Sequence, residues 1–457
     1  MNLKEVSVMT DISTNNFHRV FKNDINGFFH KLLPSRGQLD AFKYCKDKVQ
    51  EKLESDLEEI YGVKPKFRLQ GSWAYGTCNV PALTTQEMDF DYGCYLPNVC
   101  FVDDEKTEGE KILRHVEQSL QVVCDEQGWT LDTSNASCLR ITGFLSQAHF
   151  DVPLYAVPDD MFADLQDVQI RTQKSETIAN ENMGLDSAML SFDFSEKNGD
   201  TRPDSLSVFF GESQFSNEIT FTILSNEARH GSYEVSLDSI NEKNSVPKAV
   251  KKVNNQKIQN IRLIKRDEDW KPSDCEKVRE WFVGTCDKYP NEGQQLRAIV
   301  RYVKSWRDAL SEYFEKTPSS IALMILVTQS YQHLQQRDDK ALNEVLKDLP
   351  KALTQPIKCE DIIGHESEDF NSLTKQQRDI AESLASQFCQ VIDDCLFNHT
   401  NASHCLDELK MQFGSRIPMD TDLITINVKN DSISNFIESQ PIVAVTAPAI
   451  IKQQYGG

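Results

Sequence analysis

The chain has 457 residues, 39% of them hydrophobic, and its formal net charge at pH 7 is −21. A chain of this length is expected to form two domains with a substantial buried interior. The acidic surface argues against broad binding to DNA or RNA, because it repels the phosphates that dominate such affinity. Small nucleotides carried with Mg²⁺ remain acceptable partners.

The sequence predicts a soluble, cytoplasmic protein. Its first residues lack a basic start and an apolar run, and the longest apolar stretch, residues 321–327, is too short to span a membrane. The 12 cysteines are scattered, with no Cys-x-x-Cys pair and no Cys/His cluster at zinc spacing. Reduced thiols are therefore expected.

Two long amphipathic helices are predicted in the N-terminal half. Over residues 36–61, apolar side chains recur at sums of three and four residues, as one face of a helix requires, and the pattern ends near Gly62. These side chains are Leu39, Phe42, Val49, Leu53, Leu57 and Ile60. Residues 110–127 show the same periodicity. Its members are Ile112, Leu113, Val116, Leu120 and Val123.

A phosphate-binding turn is predicted between these helices. A short strand at residues 67–69 breaks at Gly71 and Ser72. Backbone N–H groups and a hydroxyl can approach a phosphate closely in such a turn.

Three carboxylates follow the turn. Residues 88–92 alternate apolar and acidic side chains, so in a strand Asp89 and Asp91 share one face. Their repulsion favours a cation between them, and Mg²⁺ is the natural occupant. Asp151 has apolar neighbours on both sides and faces away from them in another predicted strand. Such a pair alone is more often solvent-facing charge, but three acids can hold two Mg²⁺ ions for nucleotidyl transfer.

At this point the chain resembles the DNA polymerase β-like nucleotidyltransferases, through Gly71-Ser72, Asp89-x-Asp91 and Asp151 in this order. Within them it is similar to the cGAS/DncV-like nucleotidyltransferases of bacterial anti-phage systems. The similarity extends to residues 150–158, 304–308 and 318–320, and covers roughly 60–160 and 270–415.

The resemblance implies an α+β fold. We predict a polymerase β-like core with a mixed sheet and helices over residues 1–272, and a C-terminal helical domain over 273–415. A polar insertion at about 165–260 is expected to be a mobile lid, an inserted hairpin or a surface loop. Residues 416–457 are expected to form a largely flexible tail.

The resemblance also implies the site. Asp89 and Asp91 would bridge two Mg²⁺ ions, or Mn²⁺, and Asp151 would hold the ion nearest the attacking 3′-hydroxyl. The implied nucleotide-binding residues are Gln70, Gly71, Ser72, Trp73, Ala74, Tyr75, Arg140, Ser273, Lys304 and Ser320. By pattern alone Arg140 could equally pair with a nearby acid, and Ser273 is an ordinary helix cap. His149 shares the face of Asp151 and is given a supporting role at most.

The predicted helical region carries a basic stripe of Arg297, Arg301 and Lys304 at i, i+4 and i+7. A solvated face is the usual explanation for such a stripe, and Arg297 in particular is expected to be solvated. The resemblance favours a triphosphate contact for Lys304. Ser319 is expected to cap the helix that begins at Ser320.

The chain ends in Gly456-Gly457. Several members of the family are joined to targets through a terminal glycine by an accompanying E1/E2-like enzyme, so Gly457 is interpreted as a conjugation site. A disordered terminus is the alternative.

The resemblance implies an enzyme that makes 3′,3′-cyclic GMP-AMP from ATP and GTP, a second messenger that reaches a downstream effector. Another cyclic di- or trinucleotide remains open. A template-independent RNA or tRNA nucleotidyltransferase would share the acids but should carry a basic RNA path. A catalytically silent nucleotide sensor or scaffold should lack an acid, and all three are present.

Overall fold

The computed structural model describes residues 14–427 except 24, 102–104, 166–171, 174–219, 222–260, 267–269 and 274. Most of the predicted insertion at 165–260, the tail beyond 427 and Gly457 therefore lie outside the described residues.

The described α-helices occur in both halves of the chain, six before residue 165 and six after residue 274. They are α1 (His18–Phe21), α2 (Phe28–Leu32), α3 (Arg36–Tyr61), α4 (Gly71–Ala74), α5 (Glu105–Gln127), α6 (Asp159–Asp164), α7 (Cys275–Cys286), α8 (Pro290–Ala309), α9 (Ser320–Ser330), α10 (Asp338–Leu353), α11 (Lys375–Phe397) and α12 (Ala402–Phe413). Residues 291–293 of α8 have positive φ, so its regular part begins after Gly293.

The described strands lie between residues 66 and 272. They are β1 (Lys66–Leu69), β2 (Met88–Pro97), β3 (Thr130–Asp132), β4 (Leu139–Thr142), β5 (Ala148–Val152), β6 (Leu154–Val157), β7 (Thr172–Gln173), β8 (Thr220–Phe221), β9 (Arg262–Leu263) and β10 (Lys271–Pro272). Strands β7 and β8 pair with each other.

One mixed sheet organises the core, in the order β10-β9-β6-β2-β5-β4-β3, with β1 also paired to β2. Strand β2 runs parallel to β5 and β6, whereas its pairing with β1 is antiparallel. The predicted α+β fold, a mixed sheet with helices followed by a helical region, is confirmed.

Helix α3 has the bounds that its periodicity predicts. A capping box of Ser35 and Gln38 begins it, and Gly62, in the left-handed conformation with φ of 71°, ends it. Its apolar face is buried, with Phe42 stacked on Phe90 at 4.8 Å between ring centroids. The prediction is wrong for Ile60, which is 48% exposed because it lies at the last turn, beyond the sheet it would cover.

The helical region packs against the N-terminal segment as well as the sheet. Ser319 caps α9 by accepting a hydrogen bond from the Ala322 backbone, as predicted. The Phe17 backbone N–H donates to the Asp339 carboxylate at 3.0 Å, which holds the start of the described chain on α10. Among the described helices, none is long and apolar enough to cross a membrane.

Candidate active site

The three predicted carboxylates meet where β2 and β5 run side by side. In their parallel register Asp89 lies opposite His149, and Asp91 lies opposite Asp151. Phe90 is fully buried on the other face of β2, as the alternation predicts. The Asp89 side chain is 64% exposed and the Asp151 side chain only 9%. The set therefore opens to solvent at Asp89 and is closed at Asp151.

Arg140 forms a bidentate ion pair with Asp151. It lies opposite Asp151 in the antiparallel register of β4 and β5. Its Nε donates to Oδ1 at 2.8 Å and its Nη2 to Oδ2 at 2.7 Å. These hydrogen bonds raise the pKa of Arg140 above its ordinary value. The pairing with a nearby acid, one of the two interpretations of the sequence, is what the structure contains.

Asp91 has a raised pKa because it is buried beside two other acids. The pKa of Asp91 is raised to about 7, and burial is the largest cause. The charges of Asp89 and Asp151 also raise this pKa, by more than His149 and Arg140 lower it. A cation bound here would lower that pKa. Three carboxylates are a donor set that suits a hard divalent cation. The raised pKa of Asp91 means that His149 and Arg140 do not fully compensate its negative charge.

His149 links two of the acids to Glu87. Its Nδ1 lies 2.9 Å from Glu87 Oε2, and its Nε2 contacts Asp89 and lies 3.7 Å from Asp151 Oδ2. The contact with Asp89 is an ion pair when the imidazole is protonated. Burial lowers the pKa of His149, but the carboxylates outweigh it, so the pKa is raised.

Asp89 responds in the opposite direction. Burial tends to raise its pKa, but His149, Arg140 and Lys304 outweigh burial, and the pKa is lowered from its ordinary value. Sequence reasoning missed Glu87, the partner of His149. The available signal was that Glu87 lies two residues before Asp89, on the same face of an extended chain.

The predicted turn packs directly on Asp91. Gly71 has a φ of +60°, and a Cβ at this position would collide with the Asp91 carboxylate. The Gln70 backbone N–H donates to the Asp91 carbonyl at 2.9 Å. Ser72 and Ala74 are half-buried in the short helix α4 that follows. Glycine at position 71 thus lets the turn approach the carboxylates.

Two side chains of the turn point inward. Gln70 donates to the Tyr95 hydroxyl at 2.6 Å and accepts from the Tyr155 hydroxyl at 3.1 Å. Trp73 is buried and donates from Nε1 to the Asp89 carbonyl at 2.7 Å. These side chains fix the turn from behind, so their part in binding a nucleotide would be to position the backbone.

The basic stripe of α8 is buried under the same turn, so the prediction of a solvated face is wrong. Arg297 donates to the Tyr75 carbonyl, and Arg301 donates to the carbonyls of Gly76, at 3.1 Å, and Cys78. Lys304 donates to the carbonyl of Thr77 at 2.8 Å. The three cationic side chains of the stripe are buried because they donate to the four successive backbone carbonyls of residues 75–78.

Burial makes Lys304 and Arg297 easier to deprotonate. It lowers the pKa of Lys304 to about 8, and it lowers the pKa of Arg297 from its ordinary value. The charge of Lys304 is nevertheless felt at Asp89, whose pKa it helps to lower. Positive charge therefore lies beneath the turn and beside the carboxylates, where a triphosphate would bring negative charge.

Three predicted contacts lie further out. Ser320 is exposed, and its Oγ accepts from Arg307 Nη1 at 3.0 Å. Ser273 interacts with the thiol of Cys275, which lies 3.3 Å from the Tyr155 hydroxyl. Tyr75 is half-buried, with its ring 6.1 Å from that of Phe282. The structure thus groups the acids, Arg140, the Gly71 turn and Lys304, and places these three side chains around them.

A mixed sheet with three carboxylates on adjacent parallel strands, beside a glycine turn and a helical region that completes the cleft, defines a polymerase β-like nucleotidyltransferase. Residues 65–155 match the family model for the nucleotidyltransferase domain of DncV-like cyclic GMP-AMP synthases, and residues 293–427 match that for the cyclic GMP-AMP synthase C-terminal domain. The chain belongs to the cGAS/DncV-like nucleotidyltransferases.

Curated relatives are named cyclic GMP-AMP synthase. The cyclic GMP-AMP synthase of Vibrio cholerae is 26% identical over 374 residues, which cover 79% of this chain and 69% of the relative. The cyclic GMP-AMP synthase of Escherichia coli is 29% identical over 271 residues, covering 59% of this chain and 48% of the relative.

Solved structures support the fold. DncV cyclic AMP-GMP synthase of V. cholerae, in complex with the linear intermediate 5′ pppA(3′,5′)pG, aligns with a TM-score of 0.60 at 19% identity, covering 91% of this chain and 100% of that chain. Its GTP-bound form aligns with a TM-score of 0.61 at 18% identity, covering 91% and 99%.

Proposed function

We propose that this nucleotidyltransferase is a Mg²⁺-dependent cyclic dinucleotide synthase, and that its product is 3′,3′-cyclic GMP-AMP made from ATP and GTP. The observation that carries the proposal is the register of β2 and β5, which sets Asp91 opposite Asp151 and places Asp89 on the same open edge. Two successive transfers at one such site would join two nucleotides and then close the ring.

The three acids supply the reaction centre. Asp89 and Asp91 would bridge two Mg²⁺ ions and Asp151 would hold one of them. When bound, such ions lower the pKa of an attacking hydroxyl and neutralise a leaving pyrophosphate. Asp91 would give up the proton that its raised pKa lets it hold near neutral pH. Asp151 would then share its charge between a cation and Arg140.

The turn and the basic stripe would hold the triphosphate. The turn approaches the carboxylates at Gly71, where a Cβ would collide with Asp91, and Ser72 follows it. Lys304 lies beneath the turn with its amine on the Thr77 carbonyl. A phosphate near Lys304 would favour the charged amine, whose pKa burial now holds at about 8. Arg307 and Ser320, hydrogen-bonded at 3.0 Å, extend this path toward solvent.

The choice of ATP and GTP is supported by the relatives, not by a base-recognising contact in this chain. Two curated relatives are named cyclic GMP-AMP synthase, and a related V. cholerae structure holds a linear adenine–guanine intermediate. We extend this product, its second-messenger role through a downstream effector and its use in anti-phage defence to this chain as one proposal.

Product analysis separates this proposal from its alternatives. The purified chain, given all four ribonucleoside triphosphates with Mg²⁺ or Mn²⁺, should yield a cyclic adenine–guanine dinucleotide identified by mass spectrometry and nuclease resistance. A different cyclic di- or trinucleotide would correct the base choice alone. Extension of an added RNA or tRNA primer, without cyclic product, would replace the proposal with a template-independent polymerase.

A further inference from the structure

A second group of ligand side chains lies far along the chain from the carboxylates, where α11 ends and α12 begins. One ligand atom from each of Cys395, His399 and Glu408 lies within 4.8 Å of the other two. His399 Nε2 and Glu408 Oε2 are 2.6 Å apart. With Zn–N of about 2.0 Å and Zn–S of about 2.3 Å, neighbouring ligands of a tetrahedral zinc ion lie about 3.3–3.7 Å apart, so the hydrogen-bonded His399 and Glu408 would move apart by under about 1 Å to hold the ion.

Two further residues with side chains that can bind a metal, Cys405 and His404, border this group. Cys405 is fully buried, and its thiol interacts with that of Cys395. His404 is 61% exposed, its Nε2 is 3.6 Å from Glu408 Oε1, and its ring centroid is 4.6 Å from that of His399. The side chains of His399 and Glu408 are mostly buried, at 13% and 20% exposure. The corner therefore combines buried thiols with a shielded imidazole and a shielded carboxylate.

We propose that this corner binds one Zn²⁺ ion through Cys395, His399 and Glu408, the three residues whose ligand atoms lie together. Sulfur together with imidazole is a donor set that zinc accepts and Mg²⁺ avoids. Binding would take the place of the His399–Glu408 hydrogen bond and release the thiol proton of Cys395 to solvent. The spacing of these residues in the sequence does not show the cluster, because the turn between α11 and α12 brings them together.

The position of this zinc corner suggests its role. Asn15 Nδ2 donates to the carbonyls of Cys395 and His399, each at 2.8 Å, and the Asn15 backbone N–H donates to Leu396 at 2.8 Å. The Asn427 backbone N–H donates to Asn15 Oδ1 at 2.8 Å. The first and last described segments thus meet on the carbonyls beside the proposed ligands. A zinc ion here would stabilise that junction, next to the point where the chain continues toward its C-terminus.

Metal content is the direct test. The full chain, purified under reducing conditions and dialysed against excess Mg²⁺, is equilibrated with micromolar Zn²⁺, and bound zinc is measured by mass spectrometry of the metal. The excess Mg²⁺, and an Asp89→Asn/Asp91→Asn background, remove zinc adventitiously held by the carboxylates. Replacement by Co²⁺ then reports sulfur ligands through a thiolate charge-transfer absorption.

The expected result is about one Zn²⁺ per chain, with a thiolate absorption for Co²⁺ and a higher unfolding temperature than the metal-free chain. Cys395→Ser and His399→Gln should each lose most of the zinc. Cys389→Ser, which changes a thiol of the same helix outside the cluster, should keep it.

Three outcomes would overturn the proposal: wild type that retains no zinc, Cys395→Ser that retains as much as wild type, and a Cys395–Cys405 disulfide in the freshly isolated protein. If the variants fail to fold, the cobalt spectrum of the wild-type chain decides alone. Lack of a thiolate absorption there would count against the site. None of these readouts depends on nucleotidyl transfer.

Discussion

Arg140 and Asp151 form a bidentate ion pair, with hydrogen bonds of 2.8 and 2.7 Å, at the closed end of the carboxylate group. The pair orients Asp151 and supplies positive charge to a site whose three acids repel one another. The same guanidinium would lie close to any nucleotide bound on the acids. Its contribution is thus to charge balance and to geometry at once.

Arg140→Gln should lower the rate of dinucleotide synthesis by ~10–100-fold, since a hydrogen-bonded charge contributes ~1.5–3 kcal/mol. Arg140→Lys should fall between the variant and wild type, because it keeps the charge but loses the fork that grips both oxygens. Initial rates at saturating Mg²⁺ measure this. Arg114→Gln, which removes an exposed arginine bonded only to the Glu110 carbonyl, is the control. Rates within twofold of wild type for Arg140→Gln would show that Asp151 needs no such partner.

Gly71→Ala should strongly impair catalysis while leaving the protein folded. The new methyl group would collide with the Asp91 carboxylate at a backbone φ of +60°. Gly62→Ala is a matched control, because Gly62 has a φ of +71° with nothing within 4 Å of the added Cβ. Both variants should lose ~1 kcal/mol of unfolding free energy through backbone strain, measured by denaturant titration.

The two substitutions should differ in activity. Gly71→Ala is expected to lose at least ~10-fold in rate, equivalent to ~1.4 kcal/mol at the transition state, whereas Gly62→Ala should be near wild type. Equal rates for the two variants would mean that the turn does not support Asp91.

Lys304→Met should weaken nucleotide binding by ~10–100-fold, because it keeps the buried stem and removes the cation. Calorimetry with a non-hydrolysable ATP analogue measures the affinity, and Lys347→Met, on an exposed lysine paired with Glu344, is the control. Arg297 is unsuitable as a control because it is buried and bonded to the Tyr75 carbonyl. Unchanged affinity for Lys304→Met would limit this lysine to holding the turn.

The pH dependence follows from the same residue. A bound phosphate favours the protonated amine, so nucleotide affinity in wild type should fall as pH rises through about 8, the pKa of Lys304 in the unliganded fold. Lys304→Met should lose this fall between pH 7.5 and 9. For folding the sign is opposite. The unfolded chain binds more protons between pH 8 and the ordinary value of 10.5, so the cost of burying this cation declines as pH rises through that window.

Local periodicity explains what the sequence could predict. The bounds of α3 and the two faces of β2 depend on spacing within one segment, and both are confirmed. The burial of Arg297 and Arg301 could not be read from α8, because the carbonyls that they bind lie more than 220 residues earlier. A stripe that faces a turn and one that faces water have the same pattern.

The site shows the same division. Asp89 and Asp91 follow from the alternation of residues 88–92, and Asp151 from the apolar residues on both sides of it. The inward direction of Gln70 depends on Tyr95 and Tyr155, which the fold brings from two other strands. The contact of His149 with Glu87 at 2.9 Å could not be predicted, because the two residues are 62 positions apart in sequence.

The most direct measurement compares the products of wild type and the Asp89→Asn/Asp91→Asn variant by mass spectrometry, using ATP and GTP with Mg²⁺. Wild type should make a cyclic adenine–guanine dinucleotide. The variant should remain folded, since it removes repelling charge, and its turnover should fall by ~10³-fold or more because several kcal/mol of transition-state stabilisation originate at these ligands. Cyclic product from the variant at more than a few per cent of the wild-type rate would contradict the assignment of these carboxylates as the reaction centre.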